Sequence, residues 1–365
     1  MSPCCERPAP EPAAPLPINA WGDAIYPPAP APRPIPWGKA LVLLAVAAGW
    51  AVPLFAGDRA AVRSFALVFG SILLEALPFM LVGSLIGGLI EVFVSRERLT
   101  RHLPRGPLAL TCVAASLGLL LPVCECAVVP VVRRLTRKGF PLSAAVAYLL
   151  GAPIVNPILG ASTFLAYAGD WRIVVARLGA GYAIAVGVGW LMGRLFANRP
   201  ARLAAAADSA HAGCGCRHDH GHGHAPVSAR RVAALRHASD DFTAVAHYLV
   251  IGAAIAALAQ TVVERRAVLE FAAVPFLPAA AMMALAILLN LCSEADAFIA
   301  ASFRGLVPTH AQLAFLLTGP MFDLKLLLMY RTLFTRRAIG VLSVLILLAV
   351  ALAVAALGLA GKAGA

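Results

Sequence analysis

Charged residues are scarce in this chain of 365 residues, where Asp, Glu, Lys and Arg together make up only 13%. Soluble domains carry about 25% charged residues, so the composition excludes an ordinary soluble protein. Hydrophobic residues make up 61% and fall in long runs without the alternation of a transmembrane β-strand, which excludes an outer-membrane barrel. Because lipid permits only helices or closed barrels, the sequence predicts a membrane protein built from α-helices.

Several motifs are also lacking. No Gly-x4-Gly-Lys-Ser/Thr loop occurs, so a built-in ATPase is excluded. The eight cysteines do not have the spacing of a disulfide framework, and no apolar stretch begins near Met1 as a secretory signal would. The net charge of +12 could indicate nucleic-acid binding, but the basic residues form short clusters between apolar runs. Such clusters follow the positive-inside rule, so we predict a lipid bilayer and no nucleic acid as partner.

The apolar runs divide the chain into four parts. Residues 1–36 hold 12 of the 27 prolines and predict a disordered tail. A first membrane half is predicted over 37–196 and a second over 242–365, separated by a polar loop at 197–241. Nine hydrophobic elements are predicted within the halves, at 39–57, 63–94, 107–130, 141–167, 171–196, 242–263, 274–301, 309–331 and 338–360.

The two halves carry polar residues in the same order. Each has a segment with a cysteine and a carboxylate, then a turn, then a small-residue–proline step followed by an amide or a carboxylate. From Ala147 to Asn156 the counterparts lie 167 residues later, and Cys124 and Cys292 correspond with a gap of one residue. Polar residues that keep register within apolar segments indicate an internal duplication.

The prolines indicate where the helices are interrupted. A proline removes a backbone donor and clashes one turn back, so Pro153 and Pro320 predict broken helices. Duplicated halves with helices broken at matching places are typical of secondary transporters, whose site lies near the midplane. We therefore predict an all-α integral membrane bundle of about eight or nine hydrophobic helices in two related halves with interrupted or re-entrant elements. The predicted substrate-binding residues are Cys124, Glu125, Cys126, Pro153, Asn156, Cys292, Ser293, Glu294, Asp296, Pro320, Asp323 and Lys325.

The basic segments bear on how the elements cross the membrane. Four segments are basic, namely 95–106, 133–138, 197–237 and 331–337. All of them can lie on the cytoplasmic face if elements 107–130 and 274–301 dip into the membrane and return. The two elements would then enter from opposite faces, which makes an inverted repeat. The alternative is nine full crossings with a weak charge bias.

Several of these runs resemble the ArsP-type predicted permeases. The resemblance covers about residues 63 to 335 and implies a bacterial inner-membrane permease with about eight spans. Some members of that family export trivalent organoarsenicals. The middle residue of the Cys-x-Cys motif, often Ser in the family, is Glu125 here, and Ala127 stands where Gly is frequent. The runs that carry the resemblance are Pro122-Val123-Cys124-Glu125-Cys126 through Pro130, Arg133-Arg134-Leu135, Lys138-Gly139, Gly151-Ala152-Pro153-Ile154-Val155-Asn156-Pro157, Cys292-Ser293-Glu294-Ala295-Asp296-Ala297-Phe298 and Gly319-Pro320-Met321-Phe322-Asp323-Leu324-Lys325.

The side chains at these positions suggest a soft site. Cys124 and Cys126 would point about 200° apart on a regular helix, but could share one ligand if the segment between Pro122 and Pro130 is unwound. Two thiolates suit Cu(I), Zn(II), Cd(II) or trivalent arsenic-like species. Acids in apolar stretches are functional candidates that could carry protons or bind a cation, here Glu125, Glu294, Asp296 and Asp323.

Structural alternatives exist for these residues as well. Cys124 and Cys126 could simply pack in the core, and Glu294 and Asp296 could lie at a membrane surface. Lys325 could neutralise Asp323 as a structural pair on one helical face.

The polar loop carries a signal of its own. Within it, two thiols and four imidazoles fall in a short tract typical of transition-metal binding without a fixed fold. A tolerated low-complexity loop is the alternative, and no cofactor is required by the rest of the chain. The predicted metal-binding residues are Cys214, Cys216, His218, His220, His222 and His224.

These features together predict a multi-pass permease of the bacterial inner membrane that is not an enzyme. Its substrate would be a small soft inorganic or organometalloid solute, a metal or metalloid species, moved by secondary transport and exported from the cell. One alternative is a membrane thiol oxidoreductase using Cys124 and Cys126. Another is a non-transporting assembly or sensor component of a membrane complex.

Overall fold

The protein is helical throughout the part of the chain that the computed structural model describes, residues 59–93, 103–104, 106–120, 123–196, 227–262 and 278–363. This confirms the predicted all-α membrane bundle. Two short 3₁₀ turns, Leu117–Leu119 and Tyr330–Thr332, extend the second and eleventh helices. In chain order the helices are α1 (Arg59–Phe93), α2 (Pro107–Ser116), α3 (Glu125–Arg137), α4 (Leu142–Ile154), α5 (Pro157–Ala166), α6 (Trp171–Phe196), α7 (Val227–Val262), α8 (Pro278–Leu289), α9 (Ser293–Ala301), α10 (Thr309–Met321), α11 (Leu324–Met329) and α12 (Arg336–Ala363).

Three predicted segments lie outside the described residues: the tail at 1–36, the element at 39–57 and the Cys/His tract at 214–224. The boundary predicted at the end of the polar loop differs from the structure. Helix α7 begins at Val227 rather than near 242, so the last part of the segment 197–241 is helical. Within this stretch, Asp241 is buried and paired with arginines of α3, whereas Arg236, Ser239 and Asp240 are exposed.

Four of the predicted elements are broken into two helices, and prolines predicted the break in two of them. The segment 141–167 breaks between α4 and α5, and the segment 309–331 breaks between α10 and α11. The segment predicted to be unwound between Pro122 and Pro130 is shorter than expected, because α3 already begins at Glu125 and includes Pro130. Helix α3 stays continuous through Pro130, although proline removes one backbone hydrogen bond and clashes with the preceding turn.

The duplication in the sequence is present in the backbone. Helices α4 and α10 both have 13 residues, and both of their ends are offset by 167. Each follows a proline in extended conformation, Pro141 or Pro308. Each is followed by an N-cap residue, Asn156 or Asp323, which starts the next helix. Helices α1–α6 therefore correspond in order to helices α7–α12.

Helices α2 and α3 form a re-entrant hairpin, called here the first hairpin. Including its 3₁₀ turn, α2 covers about 20 Å at 1.5 Å per residue, which is too short to cross a core of about 30 Å. Helix α3 runs alongside α1 in the same direction, since Gly83 contacts Ala127 and Glu91 contacts Arg134. Helix α3 therefore ends on the membrane face where α1 ends, which we call the first face.

Helix α2 enters from this same face. It packs against α4 in a parallel direction, because Ala115 contacts Gly151 and Gly118 contacts both Ala152 and Val155. Helix α4 begins just after α3 ends, and so it starts at the first face. The first hairpin thus enters the membrane and returns without crossing it.

Helices α8 and α9 form the second hairpin, which enters from the opposite, second face. The chain after α9 reaches the end of the α4–α5 crossing, where the Arg304 guanidinium donates to the Tyr167 carbonyl oxygen at 3.0 Å. The Tyr167 hydroxyl also donates to Gln312 Oε1 at 3.0 Å, near the start of α10. The two hairpins therefore enter from opposite faces, which makes the fold an inverted repeat.

Six stretches of the described chain are long and apolar enough to cross a membrane. Helix α8 (Pro278–Leu289), like α2, is too short. Two of the six consist of a broken pair, α4–α5 and α10–α11. The six stretches are Ala61–Phe93, Leu142–Ala166, Trp171–Phe196, Ala234–Thr261, Thr309–Thr332 and Arg336–Leu359.

A buried ionic cluster lies at the first face. Arg133 Nη1 lies 3.4 Å from Asp241 Oδ1, and Arg134 Nε pairs with the other oxygen of the same carboxylate. Arg134 also lies 3.8 Å from Glu91, and Lys138 Nζ donates to the Glu91 carbonyl oxygen at 2.6 Å. The cluster joins the end of α1, the end of the first hairpin and the first half of α7.

We predict that Gly83→Ala destabilises the protein, whereas Gly70→Ala does not. A Cβ atom on Gly83 would lie 2.4 Å from the backbone oxygen of Ala127, so α1 and the first hairpin would have to separate. Overpacking of this kind costs about 1–3 kcal/mol. Gly70 lies in the same helix, and a Cβ atom there would have no neighbour within 4 Å among the described residues, so alanine should be neutral or stabilising.

The measurement is thermal unfolding of the two purified variants and the parent in the same detergent. Equal midpoints for Gly83→Ala and Gly70→Ala would contradict the close packing of α1 on α3.

Candidate functional site

The two hairpins meet tip to tip inside the bundle, where α3 and α9 begin. Cys124 and Cys292 are the N-cap residues of these helices, and both have extended backbone conformations. The side chain of Cys124 lies close enough to those of Cys126 and Cys292 to interact with both. All three side chains are buried, and none forms a disulfide. Three cysteines from both halves therefore form one thiol cluster.

The residues that follow the N-caps also meet across the repeat. Ser293 Oγ donates to Glu125 Oε2 at 3.1 Å, and the two residues are 168 positions apart, as are Cys124 and Cys292. Contacts between equivalent residues mark the local two-fold axis that relates the halves. The junction of the hairpins therefore lies on that axis.

Lys325 neutralises the acids at the junction. Its Nζ atom lies 3.1 Å from Glu125 Oε1 and 3.2 Å from Asp323 Oδ2, and it donates to the Leu291 carbonyl oxygen at 3.3 Å. All three charged side chains are buried. The structural pairing of Lys325 with Asp323 that the sequence suggested is present, and Lys325 also joins the two halves through Glu125.

Asp323 lies at the break between α10 and α11, where it is the N-cap residue of α11. Its Oδ1 atom accepts a hydrogen bond from the Leu326 amide at 2.6 Å and so caps the helix. Asn290, in the orientation that satisfies its neighbours, donates to both Asp323 oxygens at 3.0 and 2.7 Å. Asn290 has a φ of 50°, a left-handed conformation that asparagine tolerates better than most residues. Sequence reasoning missed Asn290, although an asparagine just before Cys292 in an apolar run was a visible signal.

Arg177 is a second residue that sequence reasoning missed. It lies two turns into α6 with 0% of its surface exposed, and donates to Thr163 Oγ1 at 2.7 Å and to the Ser293 carbonyl oxygen at 3.0 Å. Asp296 is its strongest electrostatic partner and is also buried. An arginine within a predicted span was the available signal, because buried charges in membranes are functional candidates.

The other predicted site residues occupy different surroundings. Asn156 is buried, and its Oδ1 accepts from the Ile158 amide at 2.9 Å, so it caps α5. Pro153 and Pro320 are buried near the ends of α4 and α10, just before the breaks. Glu294 is partly exposed and accepts from Ser293 Oγ at 3.5 Å. Binding of a substrate by any of these residues stays a prediction.

No group of three or more His, Cys, Asp or Glu residues in the described ranges is arranged to hold a metal ion. The predicted ligands Cys214, Cys216, His218, His220, His222 and His224 lie outside those ranges.

Sequence comparisons give matches along most of the chain. A family model described as predicted permease, ArsP_1, matches residues 61–359. The chain is 39% identical over 275 residues to the UPF0718 protein YcgR of Bacillus subtilis. This match covers 75% of this chain and 90% of that protein. It is 34% identical over 285 residues to a Streptococcus mutans protein whose name describes a two-component membrane permease complex subunit. This match covers 77% of this chain and 92% of that protein. No solved structure matches the chain significantly.

We predict that Lys325→Met strongly destabilises the bundle, by about 3–5 kcal/mol, because it leaves Glu125 and Asp323 buried without a cation. Adding Glu125→Gln should restore part of this loss, since one of the unpaired charges is then removed. The measurement is a double-mutant cycle of thermal unfolding in detergent. Additive losses in the double variant would show that Lys325 and Glu125 do not act as a pair.

Proposed function

The chain belongs to the ArsP-type family of predicted permeases, and from this premise we propose that it exports a small soft solute, such as a metal or metalloid species, by secondary transport. The thiol cluster at the hairpin junction is the observation that supports this proposal. Thiolates are soft ligands that prefer Cu(I), Zn(II), Cd(II) and trivalent arsenic-like species. The cluster takes thiols from both halves, so relative motion of the halves would change the site directly.

The inverted repeat supports alternating access. In transporters of this kind, broken helices from the two halves meet at the midplane and the halves rock about the site. Here the hairpin tips meet on the local two-fold axis, and the ionic cluster of Asp241 with Arg133 and Arg134 lies at the first face. For a solute to enter from that face, this cluster would have to open.

The distribution of basic residues orients the protein. The end of α3 and the start of α12 lie at the first face, and both are rich in arginine. We propose that the first face is cytoplasmic, in agreement with the positive-inside rule. The proposed membrane is the bacterial inner membrane, where export would move the solute from the first face to the second.

Two associations are further proposals. One relative's name refers to a two-component membrane permease complex, so this chain could also function with a second subunit. The Cys/His tract at 214–224 is proposed to bind transition-metal ions on the cytoplasmic side, because its thiols and imidazoles are metal ligands.

A membrane thiol oxidoreductase is the second candidate function. The contact of Cys124 with both Cys126 and Cys292 favours it, because neighbouring thiols can form and exchange disulfides. Mass spectrometry of the protein taken from cells under acid quenching distinguishes the two functions. An oxidised pair that cycles with growth conditions would support the oxidoreductase, and permanently reduced thiols would support the permease.

We predict that Cys124→Ser and Cys126→Ser each abolish solute export while the protein stays folded. Serine keeps nearly the same volume but removes the soft ligand. Cys112→Ser is the matched control, because Cys112 lies in α2 away from the cluster and its carbonyl oxygen, rather than its thiol, accepts from Tyr182. The measurement is metal and metalloid resistance of a deletion strain carrying each variant, with intracellular element analysis. Wild-type resistance and element content in both cluster variants would reject the role of the thiols.

Deletion of residues 211–224 is expected to lower the metal bound per protein without disturbing the bundle. The deleted segment is polar and removes two thiols and five imidazoles but no apolar run. Equilibrium dialysis with Zn(II) measures the binding, and detergent gel filtration tests the fold. A deletion protein that binds as much Zn(II) as the parent would exclude the tract as a metal site.

A further inference from the structure

The charges buried around the hairpin junction do not balance. The fully buried acids are Glu125, Asp296 and Asp323, whereas the fully buried bases are Arg177 and Lys325. If every group were ionised, the junction would carry one excess negative charge. An uncompensated charge at this depth costs several kcal/mol, so a carboxyl group there gains by binding a proton.

Asp296 is the acid without a direct cationic partner. Glu125 and Asp323 both lie close to Lys325, at 3.1 and 3.2 Å. Asp296 Oδ2 is buried and has no hydrogen-bond partner within the described part of the chain. Arg177, the cation that acts on it most strongly, donates instead to Thr163 and Ser293.

The surroundings of Asp296 come from several helices. Arg177 faces it from α6, Glu125 from α3, and Asp323 and Lys325 from the start of α11. Glu294 lies two residues earlier on the same helix and is partly exposed. Helix α10 contributes no charge but contacts Asp296 through a glycine.

That glycine, Gly319, makes room for the carboxyl group. A Cβ atom at this position would lie 2.1 Å from Asp296 Oδ2, so any other residue would displace the acid. Gly319 directly precedes Pro320, near the break between α10 and α11. Asp296 is therefore seated within its own half, whereas Arg177 faces it from α6 of the other half, so rocking of the halves would change the position of the acid relative to the arginine.

We propose that Asp296 is the proton-binding carboxyl group that couples transport to a proton gradient, with Arg177 as the cation that it meets when the proton leaves. This inference rests on the proposed secondary transport. In the closed state one proton resides on Asp296, which makes the buried charge at the junction neutral. When the halves move, the proton passes to water on one side, and the aspartate left behind is compensated by the Arg177 guanidinium.

Arg177 is placed to link this step to the thiol cluster. It belongs to the first half but donates to the Ser293 carbonyl oxygen of the second hairpin. Ser293 in turn donates to Glu125, which adjoins Cys124 and Cys126. A shift of Arg177 towards Asp296 would therefore release a contact at the tip of the second hairpin, beside the thiols.

The first test measures the proton directly, in the full-length purified protein. Infrared spectroscopy in lipid should detect the C=O stretching band of a protonated carboxyl group, and Asp296→Asn should remove that band. Asp240→Asn is the matched control, because Asp240 is an exposed acid on α7, and it should leave the band unchanged. A band that persists in Asp296→Asn, or no band in the parent protein, would overturn the proposal.

Stability of the same variant gives an independent result. Asparagine has nearly the shape of a protonated aspartic acid, so Asp296→Asn should unfold at the same temperature as the parent protein. If Asp296 is instead ionised and held by Arg177, the variant would lose that attraction and unfold at a lower temperature. A failure of Asp296→Asn to fold therefore counts against the proposal.

The transport test uses proteoliposomes with Cd(II) as the probe. An imposed proton gradient should drive Cd(II) accumulation by the parent and Asp240→Asn proteins but not by Asp296→Asn. Arg177→Gln should keep the infrared band but lose gradient-driven accumulation, because the deprotonated acid is no longer compensated. Gradient-driven accumulation by Asp296→Asn would reject the coupling role. If the parent protein moves no Cd(II), the proposed solute class fails, while the infrared result still decides whether Asp296 binds a proton.

Discussion

The pairing of Lys325 with Glu125 and Asp323 is the interaction on which the centre of the molecule depends. Charges inside a bilayer are tolerated only when they are compensated, and this one ammonium group compensates an acid from each half. It holds the start of α3 beside the break between α10 and α11. The hairpin tips are thereby kept together, and the thiols that they carry are brought into contact.

The repeat is symmetric in its backbone but not in its side chains. Helices, breaks and N-caps recur in order, yet Glu125 corresponds to Ser293, and Lys325 corresponds to Ile158, which faces outwards. Under the proposed alternating access, a symmetric scaffold would let the two halves exchange roles between inward-open and outward-open states. The charged groups at the junction are one lysine, one buried arginine and three buried acids. In either proposed state the site would therefore contain the same charged groups.

The sequence predicted the broken helices at Pro153 and Pro320 because proline acts locally on the backbone. The sequence also indicated many of the residues that lie at the junction, since polar groups within apolar runs are easy to recognise. Sequence reasoning missed Arg177 and Asn290, whose partners lie more than 30 residues away in the sequence, at Ser293 and Asp323. It assigned residues 227–241 to a polar loop, whereas in the structure they form the first part of helix α7.

The sequence by itself determined that the chain is a helical membrane protein with two related halves and breaks near Asn156 and Asp323. Composition, the lengths of the apolar runs and the positions of the prolines act locally on the chain, so the sequence alone is enough to interpret them. Only the tertiary structure decided that the hairpins enter from opposite faces, and that Cys124 meets Cys292 while Glu125 meets both Ser293 and Lys325. These contacts join residues up to 200 positions apart, and the direction in which each hairpin returns is fixed by helix packing, which no local pattern encodes.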